Sequence, residues 1–175
     1  ALNNIYSTAL KTSPETAKLV SHLSNFLNYN LYEAKQSFVS LSSEVRYLKH
    51  YIELQKNRYG NKLDASVNIY DEINDLYIAP LLLLPLIENS FKHGIANCIR
   101  PGWIRFDVSR QSDCFTVRIE NSIEEKVQTN DLKNRGIGIE NVRKRLELIY
   151  PDSHEFKTVE ERHSYLVILK IKISK

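Results

Sequence analysis

The spacing of apolar residues changes once along the chain, after Gly60-Asn61. Before that point it is helical. Leu2, Ile5, Tyr6, Ala9 and Leu10 share one helix face, and Thr12-Ser13-Pro14-Glu15 reads as a helix start, with a hydroxyl cap, proline in the first turn and an acid near the positive helix end. Leu19, Leu23, Phe26, Leu27 and Leu31 form a second stripe, and Leu41, Val45, Leu48 and Ile52 a third, with Ser40 as a cap between them. The pattern predicts one long helix, or two nearly collinear ones, ending before Gly60. Apolar stripes this narrow need covering, which favours a dimer.

After Gly60 the period shortens to two at Val67 and Ile69, then at Leu76 and Ile78. Pro80 to His93 is helical in pattern. Ile104-Phe106-Val108 and Phe115-Val117-Ile119 alternate around the polar turn Gln111 to Asp113, a hairpin. Ser122 to Arg135 is polar and longer than an ordinary connection. Ile137 to Tyr150 is helical and stopped by Pro151; Tyr165-Val167-Leu169-Ile171-Ile173 is a closing strand, with His154 and His163 as turn residues flanking the last hairpin. These elements predict an α+β fold: a helical dimerisation hairpin fragment over 1–59, followed over 60–175 by a two-layer α/β sandwich whose mixed sheet carries helices on one face.

Composition narrows the classes. At 175 residues, 42% hydrophobic and 26% charged, the chain is globular in type, and a net charge of +3 without a basic block gives no footing for nucleic acid. Cys98 and Cys114 lack zinc-site spacing and read as reduced thiols of a cytosolic domain. The longest apolar run, Ile78 to Ile87, is interrupted by two prolines and too short to span a bilayer. With Ala at position 1, no methionine and a helix already under way, the N-terminus reads as a cut end.

Two segments carry candidate chemistry. On the Leu81–His93 helix, at ~100° per residue, Leu83, Leu84, Ile87 and Phe91 share one side, and Glu88, Asn89, Lys92 and His93 the other. Any surface helix has a polar face. Here, however, the preceding Leu81-Leu82-Leu83-Leu84-Pro85-Leu86 is too apolar for a solvated helix, and the polar four include a carboxamide suited to Mg²⁺ and an ammonium suited to phosphate. In the second segment, Gly136 and Gly138 open the amphipathic helix of Val142, Leu146 and Ile149, where free N–H groups and close backbone approach favour an anion. Glycine before a helix is also an ordinary turn.

Pro85-Leu86-Ile87-Glu88-Asn89-Ser90-Phe91-Lys92-His93-Gly94 resembles the N-box of sensor histidine kinases of the autolysis-sensor (LytS-like) type, and Gly136-Ile137-Gly138-Ile139-Glu140-Asn141-Val142-Arg143-Lys144-Arg145-Leu146 resembles their second glycine box. Val45 to Gln55, with Arg58, resembles the end of their dimerisation helix. The resemblance implies a Bergerat-type (GHKL) ATP-binding fold, with Ser122 to Arg135 as the lid. It implies ATP and Mg²⁺ as cofactors. Asn89 would hold the metal, Lys92 would meet the phosphates, and Glu88 would stand beside the reacting phosphate. His93, Ile137 and Asn141 would complete the nucleotide contacts, with Gly136 and Gly138 admitting the triphosphate. It also implies a homodimer, a response-regulator partner, and a cytoplasmic portion of an inner-membrane protein reached only through segments upstream. Related ATPases have a water-activating Glu where Pro85 stands, which favours phosphoryl transfer to a side chain over hydrolysis.

There are two departures. The family's adenine-reading Asp corresponds to Asn121, followed by no glycine; its oxygen can still accept from the adenine amine, but its NH₂ is a new donor facing the ring, and Asn121→Asp is expected to tighten ATP. The family's acceptor histidine belongs to an Asn-Pro-His-Phe motif expected upstream of Ala1; His22 and His50 lack that context, and the fragment should not phosphorylate itself. A non-catalytic dimeric signalling module with a degenerate pocket is the alternative.

Overall fold

The computed structural model describes residues 1–98, 100–124 and 137–173. Three helices come first: α1 (Leu2–Thr12), α2 (Pro14–Leu31) and α3 (Leu41–Tyr59). Ser13 alone separates α1 from α2. Its extended backbone breaks the helix, and its side chain accepts from Thr16 N at 3.2 Å, so the expected start is the real one. Ala9 and Ala17, on either side of it, are buried.

The helical hairpin of the expected fold class is present, and the single or collinear helix read from the apolar stripes is corrected. Residues 32–40 reverse the chain through a 3₁₀ turn (Glu33–Lys35) and the short strand β1 (Val39–Ser40), so α2 and α3 run antiparallel. Aromatic pairing holds them together: Tyr29 stacks on Tyr47 at 4.3 Å, Phe26 on Tyr47 at 4.8 Å and Phe26 on Tyr51 at 5.7 Å. Ser40 does cap α3, accepting from Ser43 N at 3.2 Å. Gly60 ends α3 with φ +56°, a left-handed conformation glycine adopts without a Cβ penalty.

The main sheet has the order β2-β4-β5-β7-β6, from β2 (Leu63–Ile69), β4 (Gly102–Gln111), β5 (Cys114–Ser122), β6 (His154–Glu160) and β7 (Ser164–Lys172). The β2–β4 pair is parallel and the others antiparallel, giving the mixed sheet expected. Alternation puts Ile104, Phe106, Val108, Val117, Ile119, Val167 and Leu169 on a buried face and Arg105, Asp107, Arg118 and Lys170 on the other. The buried face joins one core with Leu48 and Ile52 of α3, Leu86 and Ile87 of α4 (Leu84–Asn89), and Val142 and Leu146 of α5 (Ile137–Ile149). Helix α3 thus shares its core with the sheet.

Three local expectations are corrected. The strand at Leu76–Ile78 is only β3 (Tyr77–Ile78), paired with β1 in a separate two-stranded sheet. The helix read from Pro80 starts at Leu84, because Leu81 has φ +56° and cannot belong to a right-handed helix. His154 opens β6 instead of sitting in a turn, with its Nδ1 2.7 Å from Tyr150 O.

Candidate nucleotide-binding site

Helix α4 has no capping side chain of its own, since its N-cap position is Leu83. Glu44, 0% exposed on α3, serves instead: Oε2 accepts from Leu81 N at 3.0 Å and Oε1 from Leu83 N at 3.3 Å. The Tyr29 hydroxyl donates to the same carboxylate. Burial pushes the Glu44 carboxyl up, while the bonds from Tyr29, Leu81 and Leu83 and the charge of Arg145 pull it down. Burial and the neighbouring Glu44 charge push the Tyr29 phenol far up, so it remains a donor. Helix α5 holds the segment from the other side. Arg145 Nη2 donates to Pro80 O at 2.7 Å, and Ala79 N donates to the Tyr150 hydroxyl at 2.7 Å. Glu44 escaped the sequence reading, although one signal was there: a carboxylate on the stripe of Leu41, Val45 and Leu48 has no reason to be on an apolar face.

Beyond this clamp, α4 continues as a wider π turn over Ser90–Gly94. Ile87 and Phe91 are buried; Glu88 and Lys92 are exposed, and Asn89 and His93 half-buried. The four polar residues therefore do lie together on one segment, away from the core. Neither the Glu88 nor the Asn89 side chain hydrogen-bonds another described residue. Phe91 packs against Tyr51 at 5.9 Å and Tyr59 at 6.1 Å, seating the segment on the end of α3. Burial first, then the Glu88 charge, raises the Tyr51 phenol; burial and nearby carboxylates push Tyr47 up to about 12.

The π turn ends against β5. Asn121, 1% exposed, lies in the inward-facing row with Ile104 and Tyr165. Its Nδ2 donates to Ser122 O at 2.9 Å, and its Oδ1 is buried with no partner among the described residues. An oxygen that close to a carbonyl oxygen would be repelled, so the amide orientation is settled by the network. Of the two ends expected to be available, the NH₂ is therefore engaged and the free end is the acceptor. Gly94 makes the approach possible, since a Cβ there would lie 2.1 Å from Asn121 Nδ2 and 2.8 Å from Ser122 O.

At the start of α5, Gly138 is exposed and a Cβ on it would meet nothing within 4 Å, so neither packing nor a positive φ calls for glycine. Asn141 is exposed one turn on. Gly136, the Ile137 side chain and residues 125–135 of the expected lid lie outside the described residues. No cluster of three or more His, Cys, Asp and Glu suited to a metal occurs among the described residues. A cavity of about 490 Å³ between the start of α2 and the end of α3, lined in part by Lys18 and Glu53, contains none of the candidate residues.

This architecture is that of histidine-kinase catalytic domains. The histidine kinase ThkA, solved in complex with the response regulator protein TrrA, superposes with a TM-score of 0.56 at 16% identity, over 93% of this chain and 52% of that one. A family model described as histidine kinase matches residues 1–63. The sensor histidine kinase YpdA of Escherichia coli (strain K12) is 29% identical over 168 residues, covering 91% of this chain and 29% of its own. Sensor protein LytS of Staphylococcus epidermidis (strain ATCC 12228) is 30% identical over 122 residues, covering 70% of this chain and 21% of its own. The chain is a homologue of the bacterial sensor histidine kinases, LytS among them, and spans less than a third of these relatives' lengths. No helix among the described residues is long and apolar enough to cross a membrane.

Proposed function

We propose that the chain binds Mg·ATP between the α4 segment and the start of α5, as the catalytic part of a sensor histidine kinase. The observation that carries this reading is the buried Asn121 Oδ1, an acceptor without a partner at the inner end of the sheet. A buried acceptor left unpaired costs free energy, and the adenine amine is a donor that would satisfy it. Asn89 would offer a neutral oxygen to Mg²⁺, Lys92 would neutralise phosphate charge, and Glu88 would stand beside the metal. Gly138, His93 and Asn141 would border the triphosphate, together with Gly136 and Ile137. ATP supplies the transferable group, and what the protein contributes is positioning and charge neutralisation.

In the longer protein the phosphoryl group would go to a histidine and then to a response-regulator aspartate. Three of the five histidines of this chain are engaged within the fold: His22 and His50 bond each other, and His154 bonds the Tyr150 carbonyl; none of the five stands in an Asn-Pro-His-Phe context. The chain alone is therefore expected to take up no label from ATP. Exposed Leu23, Leu27 and Leu31, at 38%, 38% and 54%, form a stripe suited to a homodimer contact. In the proposed division, 1–59 serves dimerisation and 60–175 catalysis, with α3 anchored in both. The degenerate-pocket alternative rests on the altered corner at Asn121 and Ser122; of its features, the competing NH₂ is engaged by Ser122 O.

Calorimetric titration of ATP and GTP, with and without Mg²⁺, tests the reading. ATP should bind tighter than GTP, and Asn89→Ala should lose the Mg²⁺-dependent part by roughly ten-fold or more while the circular-dichroism spectrum stays unchanged. Absence of ATP binding, or equal Mg·ATP affinity in Asn89→Ala, overturns it.

A further inference from the structure

A carboxylate buried in an apolar core is costly, and replacing such groups by well-packed hydrophobic residues is often stabilising. Glu44 therefore needs a reason beyond packing. Its four surroundings come from four elements: the Tyr29 hydroxyl of α2, its own helix α3, the Leu81 and Leu83 amides just ahead of α4, and the charge of Arg145 on α5. The Leu81–Leu83 turn cannot satisfy those amides itself, because Leu81 is left-handed and Leu83 has no acceptor side chain. The register of α4 is thus held from outside. The outside group is in turn shared with α2, whose Tyr29 stacks on Tyr47 and whose Asn30 Nδ2 donates to the Tyr47 hydroxyl at 3.1 Å.

We propose that Glu44 is a positioning residue of the nucleotide site: its carboxylate sets the entry of α4, and hence where Glu88 and Asn89 stand, and the Tyr29 hydroxyl makes that setting depend on the placement of α2. A shift of α2 relative to α3 withdraws one donor from a carboxylate that has few others. The carboxylate must then rebalance its bonds to Leu81 and Leu83, and the first turn of α4 moves with them. The same contact works in reverse, so a ligand that fixes α4 also favours one placement of α2. This role presupposes that the site holds Mg·ATP, but the placement of α4 can be read without nucleotide.

Tyr29→Phe removes the hydroxyl and keeps the ring stack; Glu44→Gln keeps the shape but turns an NH₂ toward one of the two amide donors. Both variants of the 175-residue chain are compared with wild type by residue-resolved amide exchange and by Mg·ATP calorimetry. In Tyr29→Phe, exchange should quicken at Leu81, Leu83 and Leu86–Asn89 while β5 and β7 keep their protection. Mg·ATP affinity should fall roughly five-fold, at the low end of coupling between sites. Glu44→Gln should change both in the same direction and further; if it does not fold, Tyr29→Phe still decides. Unchanged exchange at Leu81 and Leu83 overturns the proposal. So does exchange that quickens equally in every strand, with the affinity of the folded protein unaltered, which is what a merely structural Glu44 would give. If wild type itself binds no Mg·ATP, the nucleotide reading falls, and the exchange pattern of Tyr29→Phe alone upholds or overturns the positioning role.

Discussion

The two ends of the candidate site are built on opposite plans. At the β5 end, Asn121, Ser122 and Gly94 are locked: the amide is buried, its NH₂ is bonded, and Gly94 sits where no side chain would fit. At the α4–α5 end, Glu88 and Lys92 are exposed, the Asn89 side chain bonds no described residue, and Gly138 faces open space. Packing alone preforms the end assigned to the base. The end assigned to the phosphates is left for a charged ligand and metal to organise. In the proposed assignment, rigidity would stand where a neutral, shaped group is recognised, and freedom where strong electrostatics can do the ordering.

The largest expected effect that tests this contrast is Asn121→Asp. From the sequence alone this change promised tighter ATP binding. In the structure an ionised carboxylate would set an oxygen against Ser122 O at the 2.9 Å now spanned by the amide bond. To avoid that it must take up a proton and donate it, so the folded-state pKa is raised above the unfolded value. A raised pKa gives stability that is present below about pH 4 and lost as pH rises. Near neutral pH the loss should be about 3 kcal/mol by urea denaturation, with ATP affinity weakened, not improved. A variant as stable as wild type at pH 7 would mean the locked end is not locked.

Gly94→Ala comes next. The added methyl overlaps Asn121 Nδ2 and Ser122 O, and neither can retreat without disturbing β5. A destabilisation of about 1–3 kcal/mol is expected, as for overpacked cores. Gly138→Ala should show the opposite sign. With space around it and a helical position, the change should stabilise by up to ~1 kcal/mol while weakening ATP. If Gly138→Ala destabilises, or leaves ATP affinity unaltered, the open end has been misassigned.

The smallest effect lies away from both ends. His22 and His50 place their Nδ1 atoms 2.9 Å apart, and burial, then His22 and Arg46, lowers the His50 pKa. A folded-state pKa below the unfolded one means the unfolded chain binds the proton first. Stability is then present above the ordinary histidine range, near pH 6.5, and lost as pH falls through it. His50→Gln should flatten that fall in a series of melting temperatures between pH 5 and 8, leaving ATP affinity at pH 8 unaltered; an unchanged slope removes His50 as the cause.

How far the sequence could be read depended on whether the determining interactions were local. The β4–β5 hairpin, β7, α5 and the polar side of α4 follow from periodicity, and the Ser13 break from capping chemistry. The position of the reversal between α2 and α3 does not, because the Tyr29–Tyr47 and Phe26–Tyr51 stacks that hold it bring together residues far apart in sequence. Leucine carries no signal for a left-handed φ, so the pattern predicts helix through the Leu81 turn. The amide orientation of Asn121 depends on a neighbouring carbonyl that only the folded backbone positions.

The parallel pairing of β2 with β4 has a kinetic consequence. The β4–β5 and β6–β7 pairs join neighbouring segments and can form early, whereas β2 reaches β4 only after the crossover that contains the Glu44-bound turn, α4 and the π turn. Closing that long loop costs entropy that only later contacts repay. The edge strand and the candidate site should therefore be acquired together and late, onto a nascent four-stranded antiparallel sheet in the order β4-β5-β7-β6. Substitutions that loosen α4 would then slow the last folding phase and lengthen the exposure of an unpaired β4 edge. In this protein, poor yield or aggregation of a site variant would reflect the route to the sheet, even where the finished fold is hardly weakened.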